Sequence, residues 1–356
     1  MSTCATASRE SAEPMAGTAA TARTWLLIEQ TGPWGAQALT SSHLDSRVGR
    51  TLESAAEGTG VRVALIRRPG RHADCHASLH RRVYVAHTAP GRSWIRTTTL
   101  TDPAALLELD FAALGAGEAG TLDGPTDTPT DMSADIPGGG ASQALETRRS
   151  GGDESGGDEA AGQMSWRPHG GEPLVFVCTN GRRDRCCALL GRPLAAELAA
   201  DGADTWEVTH IGGHRFSPTL LLLPYGYAYG RASAHLVKEA VEAVRDGRVS
   251  LDHCRGRSTW GRPAQAADLA VRELTREERA DALDVVRVEQ VERVEAASRG
   301  EGTGPSWNVT VAHGDGRTWQ VAVEQRSDGA PTPASCGAPL GPPARMAVAG
   351  ITALAA

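Results

Sequence analysis

Four residues in the middle of the chain have the type and spacing for metal chemistry: Cys178 and Cys187, nine positions apart, and His210 and His214, four apart. Two thiolates with two imidazoles suit either a tetrahedral Zn2+ or a [2Fe–2S] cluster. Zinc knuckles commonly leave about two to four residues between their cysteines. The eight residues between Cys178 and Cys187 suit the wider embrace of a two-iron rhomb. Spacing therefore favours the cluster and keeps zinc as the alternative. Gly212 and Gly213, between the histidines, disfavour a helix, so a tight turn is expected to present both rings.

The flanking pattern supplies the elements that would position these residues. Leu174 to Val177 (LVFV) reads as a buried strand running into Cys178, and a helix is expected from about Cys187 to Ala200. Thr205 to Thr209 and Thr219 to Leu223 read as strands on either side of the histidine loop, followed by a turn and short strand over Tyr225 to Tyr229. Ala234 to Arg245 has helical spacing, with Gly247 as a stop. The order strand, helix, strand, strand, helix is what a thioredoxin-like half-fold requires. In such folds two strand-end loops converge at one edge of the sheet, where ligands collect. Arg182, Arg183 and Arg185 in the cysteine loop either donate hydrogen bonds toward the site or face solvent, with Asp184 as a partner for one of them. Cys186 reads as a small core residue and as the reserve ligand should Cys187 be lost.

Composition bounds the rest. The 356 residues are 40% hydrophobic with Gly 41 and Pro 20, enough for more than one core and substantial loop. A formal charge of −7 gives no electrostatic reason to propose nucleic acid or an anionic membrane as partner. Residues 1–22 are polar, lack the apolar core of a secretory signal, and are expected to be a disordered leader. No stretch approaches the roughly 20 apolar residues of a membrane span, so a cytoplasmic protein is expected. Seven scattered cysteines (4, 75, 178, 186, 187, 254 and 336) argue for metal or redox chemistry and against a disulfide framework.

The expected organisation is α/β. Strands at 24–30, 61–66, 83–87 and 94–99, with helical spacing at 103–114, form an N-terminal α/β lobe over 23–114. Residues 115–170 are rich in Gly, Ser, Thr, Pro, Asp and Glu and read as a flexible linker. The thioredoxin-like unit spans 171–284, with helices expected at 265–274 and 275–283, the second from the capping-box spacing of Thr275 and Glu278. A small β appendage covers 285–356, with a hairpin signal at His-Gly-Asp-Gly-Arg (313–317). No internal repeat of fixed period is evident.

Other clusters read more blandly. His72, Cys75, His76 and His80 have ligand-like spacing, but the surrounding arginines would repel a cation. Cys4, Cys254 and Cys336 have no partner at ligand spacing and read as structural. The vicinal pair Cys186–Cys187 is a poor substitute for the Cys-x-x-Cys of a thiol oxidoreductase, which stays an alternative alongside a structural zinc module.

The runs VCTNGRRDRCCALLGRPLAAEL (177–198) and HIGGHRFSPTLLLLPYGYAYGR (210–231) closely resemble the sucrase/ferredoxin-like family. The resemblance extends more weakly to WLLIEQTGPWG (25–35), ALIRRPGRH (64–72) and CRGRSTWG (254–261). It implies a thioredoxin-like ferredoxin in which a His-x-Gly-Gly-His loop replaces the second cysteine pair. Carried over by position, the [2Fe–2S] ligands are Cys178, Cys187, His210 and His214. If each loop serves one iron, neutral imidazoles raise the potential relative to an all-Cys ferredoxin and can couple reduction to proton uptake. The implied function is electron transfer between unidentified donor and acceptor proteins, without stand-alone catalysis. Sugar hydrolysis is not expected: no paired-carboxylate motif stands out, and aromatic residues are only 4% of the chain.

Overall fold

A computed structural model describes residues 3–70, 80–122, 164–291 and 303–355. Ten strands form one mixed sheet: β1 (Thr24–Glu29), β2 (Val61–Arg67), β3 (Arg81–His87), β4 (Trp94–Leu100), β5 (Arg167–Pro168), β6 (Leu174–Cys178), β7 (Thr205–Val208), β8 (Leu220–Leu223), β9 (Tyr227–Tyr229) and β10 (Cys254–Arg257). Their order is β10-β9-β8-β6-β7-β2-β1-β3-β4-β5. The residues expected as an N-terminal lobe and those expected as the ferredoxin unit thus stand in a single sheet. Antiparallel pairing of β2 with β7, Ile66 opposite Val208 and Arg67 opposite Glu207, joins them.

Each half repeats one plan. In the first, β1 and β2 are parallel, β3 is antiparallel to β1, and β4 is antiparallel to β3. In the second, β6 and β7 are parallel, β8 is antiparallel to β6, and β9 is antiparallel to β8. Helix α2 (Ser46–Ala56) crosses over between β1 and β2, and α3 (Phe111–Ala116) follows β4; an earlier helix, α1, is described below. In the second half α4 (Arg192–Ala200) makes the crossover, and α5 (Ala234–Arg245) follows β9. Sequence periodicity shows none of this, because the plan needs only apolar strands at period 2 and tolerates unequal loops.

Alternation along the strands builds the cores. Leu26 and Ile28 of β1 pack with Leu52 of α2 and Phe111 of α3, while Trp25 and Leu27 face a cluster that also holds Phe176, Cys178, Val208 and Leu221 of the second half. Val175, Val177, Leu220 and Leu222 point the other way, against α4 and α5. Asp45 and Ser233 cap α2 and α5, contributions of about 1 kcal/mol each.

Several boundaries depart from expectation. The leader folds: α1 (Cys4–Glu10) is capped by Thr3, and Cys4, Ala5 and Ser8 are buried. Its small side chains permit close packing, and Arg231 donates to the carbonyls of Ser8 and Glu13. The expected helix at 103–114 divides at Asp110, whose carboxylate accepts from the Ala113 amide and starts α3. No helix covers 275–283: α6 (Arg262–Thr275) ends where Arg276 turns left-handed, and the Thr275 hydroxyl donates back to Val271 instead of capping a new helix. Both ends of the expected 115–170 linker are structured, with Leu122 and Trp166 buried; residues 123–163 lie outside the described residues.

The C-terminal part forms a four-stranded antiparallel sheet, β11 (Leu283–Val291), β12 (Thr303–His313), β13 (Thr318–Arg326) and the final strand, β16 (Arg345–Leu354), in that order. The turn at 313–317 joins β12 to β13. One face packs on α6 through Val309, Val311, Trp319, Val321 and Val323. Between β13 and β16 the chain returns over the second half with two short paired strands, β14 (Thr332–Pro333) and β15 (Leu340–Gly341). Among the described residues no helix is long and apolar enough to cross a membrane.

Candidate metal centre

Cys178 ends the fully buried strand β6, and its amide donates to the Thr219 carbonyl of β8 at 2.9 Å. The loop that follows is shaped by side-chain acceptors. Asn180 Oδ1 takes the amides of Arg182 and Arg183, and Asp184 Oδ1 takes that of Cys186 at 2.8 Å. Cys187 then opens a π-helical turn, Cys187–Gly191, that widens the start of the crossover helix, a distortion common at functional sites. A Cβ on Gly191 would collide with the Cys178 carbonyl. Glycine there lets the helix settle against the end of β6.

The histidine loop is a tight turn. Gly212 and Gly213 have φ of 80° and 71°, a region L-residues avoid, and a short 3-10 turn, His214–Phe216, follows. A Cβ on Gly213 would collide with the guanidinium of Arg255. Arg255 is wholly buried and donates to the Gly212 carbonyl at 3.1 Å and to the hydroxyl and carbonyl of Thr18. Arg62 donates to the His210 carbonyl at 3.1 Å. Two arginines from distant strands thus hold the backbone of this turn.

The structure gathers three of the four expected ligands, with the His214 ring beside the third. Ligand atoms of Cys178, Cys187 and His210 lie within 4.8 Å of one another. The His210 and His214 rings are 5.1 Å apart, tilted by 39°. Both cysteines are buried, and both imidazole Nδ1 atoms are buried without a hydrogen-bond partner. His214 Nε2 donates to the Ala334 carbonyl at 2.7 Å and lies 3.7 Å from Asp184 Oδ2. A carbonyl accepts only from N–H, so Nε2 carries the proton and Nδ1 is left as the free donor. Buried nitrogens without partners call for an explanation, and with the two thiols nearby a metal is the candidate.

Electrostatics point the same way. Hydrogen bonding from Cys187 drives the Cys178 thiol well below its ordinary value against the opposing effect of burial, with further help from His210. Cys187 is driven up by the same hydrogen bond and by burial. Burial and the nearby Arg215 lower Arg255 to about 10, which leaves it cationic at neutral pH. Burial holds the His214 imidazole below its ordinary value, with Asp184 opposing. Burial raises the Asp184 carboxyl, but amides of Cys336 and Cys186 outweigh it and bring it below the ordinary range.

Other expected participants are placed differently. Arg182, Arg183 and Arg185 are exposed, and Asp184 pairs with none of them; it is buried and accepts from the Cys186 and Cys336 amides. Asn180 and Asp184 turn the loop backbone inward, and the arginine side chains therefore point out. Cys186 is buried, but toward Cys4 and Cys336. Those two cysteines, far apart in sequence, meet here. Of the second cluster weighed in the sequence, His72, Cys75 and His76 lie outside the described residues. Arg62 and Arg255 were missed as supports; the CRGR of 254–257, which becomes β10, was the available signal. Ala334 and Cys336 carried none.

No curated protein and no solved structure matches the chain. A family model described as sucrase/ferredoxin-like matches residues 15–256, a span that includes all four candidate ligands and Arg255. That match covers more than half of the chain, which belongs to the sucrase/ferredoxin-like family.

Proposed function

We propose that the chain is an electron carrier holding one [2Fe–2S] cluster on Cys178, Cys187, His210 and His214, in a thioredoxin-like ferredoxin unit spanning 171–284. The carrying observation is the donor arrangement. Cys178, Cys187 and His210 gather within 4.8 Å, and His214 stands outside that group with its Nδ1 buried and unpartnered. Such a spread over two loops suits a two-metal centre better than a single zinc ion with bonds of about 2.0–2.3 Å. The strand order β7-β6-β8-β9 with crossover α4 and following α5 supports the thioredoxin-like reading.

When bound, the cluster would supply one-electron transfer. The chain's own residues set its surroundings. Arg62 and Arg255 place positive charge near Cys178 and favour negative charge there. The cysteines are sealed in the core, while the His214 side chain is 16% exposed, so the histidine edge is the shorter path to a partner. His214 Nε2 holds its proton against Ala334 and Asp184, and this nitrogen is the expected site of redox-linked proton exchange. Exposed Arg182, Arg183 and Arg185 offer a positive face to an acidic redox partner. A reducing, cytoplasmic setting accords with the reading.

Iron, acid-labile sulfide and zinc analysis of anaerobically purified protein tests it. Two irons and two sulfides per chain are expected. Zinc at this site without iron, even after attempted cluster reconstitution, would make the chain a zinc module instead. A midpoint potential that stays flat from about pH 6 to about pH 10 would remove the proton coupling.

A further inference from the structure

We propose that Cys4, Cys186, Cys336 and Asp184 form a second metal site, a tetrahedral zinc centre that ties both end segments of the chain to the loop carrying Cys187. The three sulfurs form a near-equal triangle: Cys4 to Cys186 is 3.5 Å, Cys4 to Cys336 is 3.6 Å, and Cys186 to Cys336 is 3.2 Å. Both carboxylate oxygens of Asp184 lie 3.7 Å from Cys4 Sγ, and the four ligand atoms fall within 4.8 Å of one another. Zinc–sulfur bonds of about 2.3 Å in a tetrahedron space the sulfurs about 3.8 Å apart. The cluster therefore needs only to relax outward slightly around an ion. A disulfide would instead draw two sulfurs to about 2.05 Å and strand the third.

Packing alone does not explain the group. Buried cysteine often serves as a small apolar filler, but a carboxylate that is 4% exposed has no place in an apolar cluster. Asp184 is held by the amides of Cys186 and Cys336, at 2.8 and 2.9 Å, as ligating carboxylates are held by their neighbours. Thiolate-rich donors select zinc over magnesium or calcium. The ligands come from α1, the cysteine loop and the segment between β14 and β15, so one ion would close two long loops and stabilise the fold. Residues 4 and 336 lie outside the family match of 15–256, so two of the four ligands come from segments the family model does not cover. Asp184 also lies 3.7 Å from His214 Nε2, which makes the two sites neighbours with separate ligands.

The test is zinc content of the full-length protein after dialysis under reducing conditions, in wild type and in the Cys178→Ser, Cys4→Ser and Cys336→Ser variants. Tightly held zinc is expected in wild type and in Cys178→Ser, with severalfold loss in Cys4→Ser and Cys336→Ser. Wild-type protein that holds no zinc after exposure to excess Zn2+ would overturn the proposal. So would zinc lost from Cys178→Ser but kept in Cys336→Ser, which would assign it to the first site, or a disulfide among the three cysteines found by mass spectrometry. Should Cys4→Ser and Cys336→Ser misfold, cobalt titration of Cys178→Ser decides: tetrahedral cobalt–thiolate bands displaced by zinc support the site, and their absence overturns it.

Discussion

The half built from β1 to β4 and the half built from β6 to β9 share strand order and helix placement, yet the loops leaving their first strands carry different chemistry. After β1 the chain runs through Gln30 to Trp34, where the indole donates to the Gln30 carbonyl at 3.1 Å and the Arg67 guanidinium lies 4.0 Å over the Trp34 ring. Arg67 also pairs with Glu207 of β7 at 2.7 Å, and Thr179 donates to the same carboxylate. After β6 the corresponding loop leads from Cys178 to Cys187. One half uses its loop to brace the junction, and the other carries the two candidate cysteine ligands on it. The shared architecture is a scaffold, and the chemistry lies in the residues placed on it.

The largest expected effect separates the halves outright. Cys178→Ala should abolish bound iron and visible colour, because a two-iron centre cannot keep its geometry with one thiolate removed. A Cys178→Ala protein that stays red-brown would break the comparison. Glu207→Gln should do the reverse. It leaves Arg67 uncompensated in a buried setting and should destabilise the fold by roughly 3–5 kcal/mol, seen by urea unfolding, while folded protein keeps its cluster spectrum.

His87 sharpens the contrast through pH. It is 2% exposed on β3, bonded to Thr24 Oγ1 at 2.9 Å. Burial, then Arg92, Arg23 and Arg257, lower it from 6.5 to about 4. Between those values the unfolded chain binds more protons than the native one, so stability falls as pH falls. The contribution is complete above about pH 6.5 and lost toward about pH 4, a total of roughly 3 kcal/mol. His87→Gln should flatten unfolding free energy across this window by that amount; an unchanged slope would contradict it. The smallest effect is expected from replacing Arg182, Arg183 and Arg185 together with serine. Cluster content should not change, while reduction by an acidic donor protein slows and loses salt dependence.

Strands were legible wherever apolar residues alternate or run unbroken, as in β1, β6 and β8, and α5 falls where its spacing and Gly247 put it. The candidate ligands were legible because each pair is close in sequence. The enclosure of the site was not. Ala334 and Cys336 come from beyond the C-terminal hairpin, and Cys4 from a polar leader, so no local spacing links them to residues 178–214. Arg255 was half-visible, since CRGR stood out without a role until Gly213 showed what the guanidinium supports. The second helix expected at Thr275 failed because a capping-box pattern gives no warning that Arg276 will turn left-handed and that Glu277 will bond His313 and Arg279.

The most direct measurement is visible absorption with low-temperature EPR of anaerobically purified protein, oxidised and then reduced with dithionite. A red-brown protein is expected that bleaches on reduction and gives a rhombic signal of the histidine-ligated two-iron type, lost in Cys178→Ala and altered in His214→Cys. A colourless, EPR-silent protein after cluster reconstitution would contradict it.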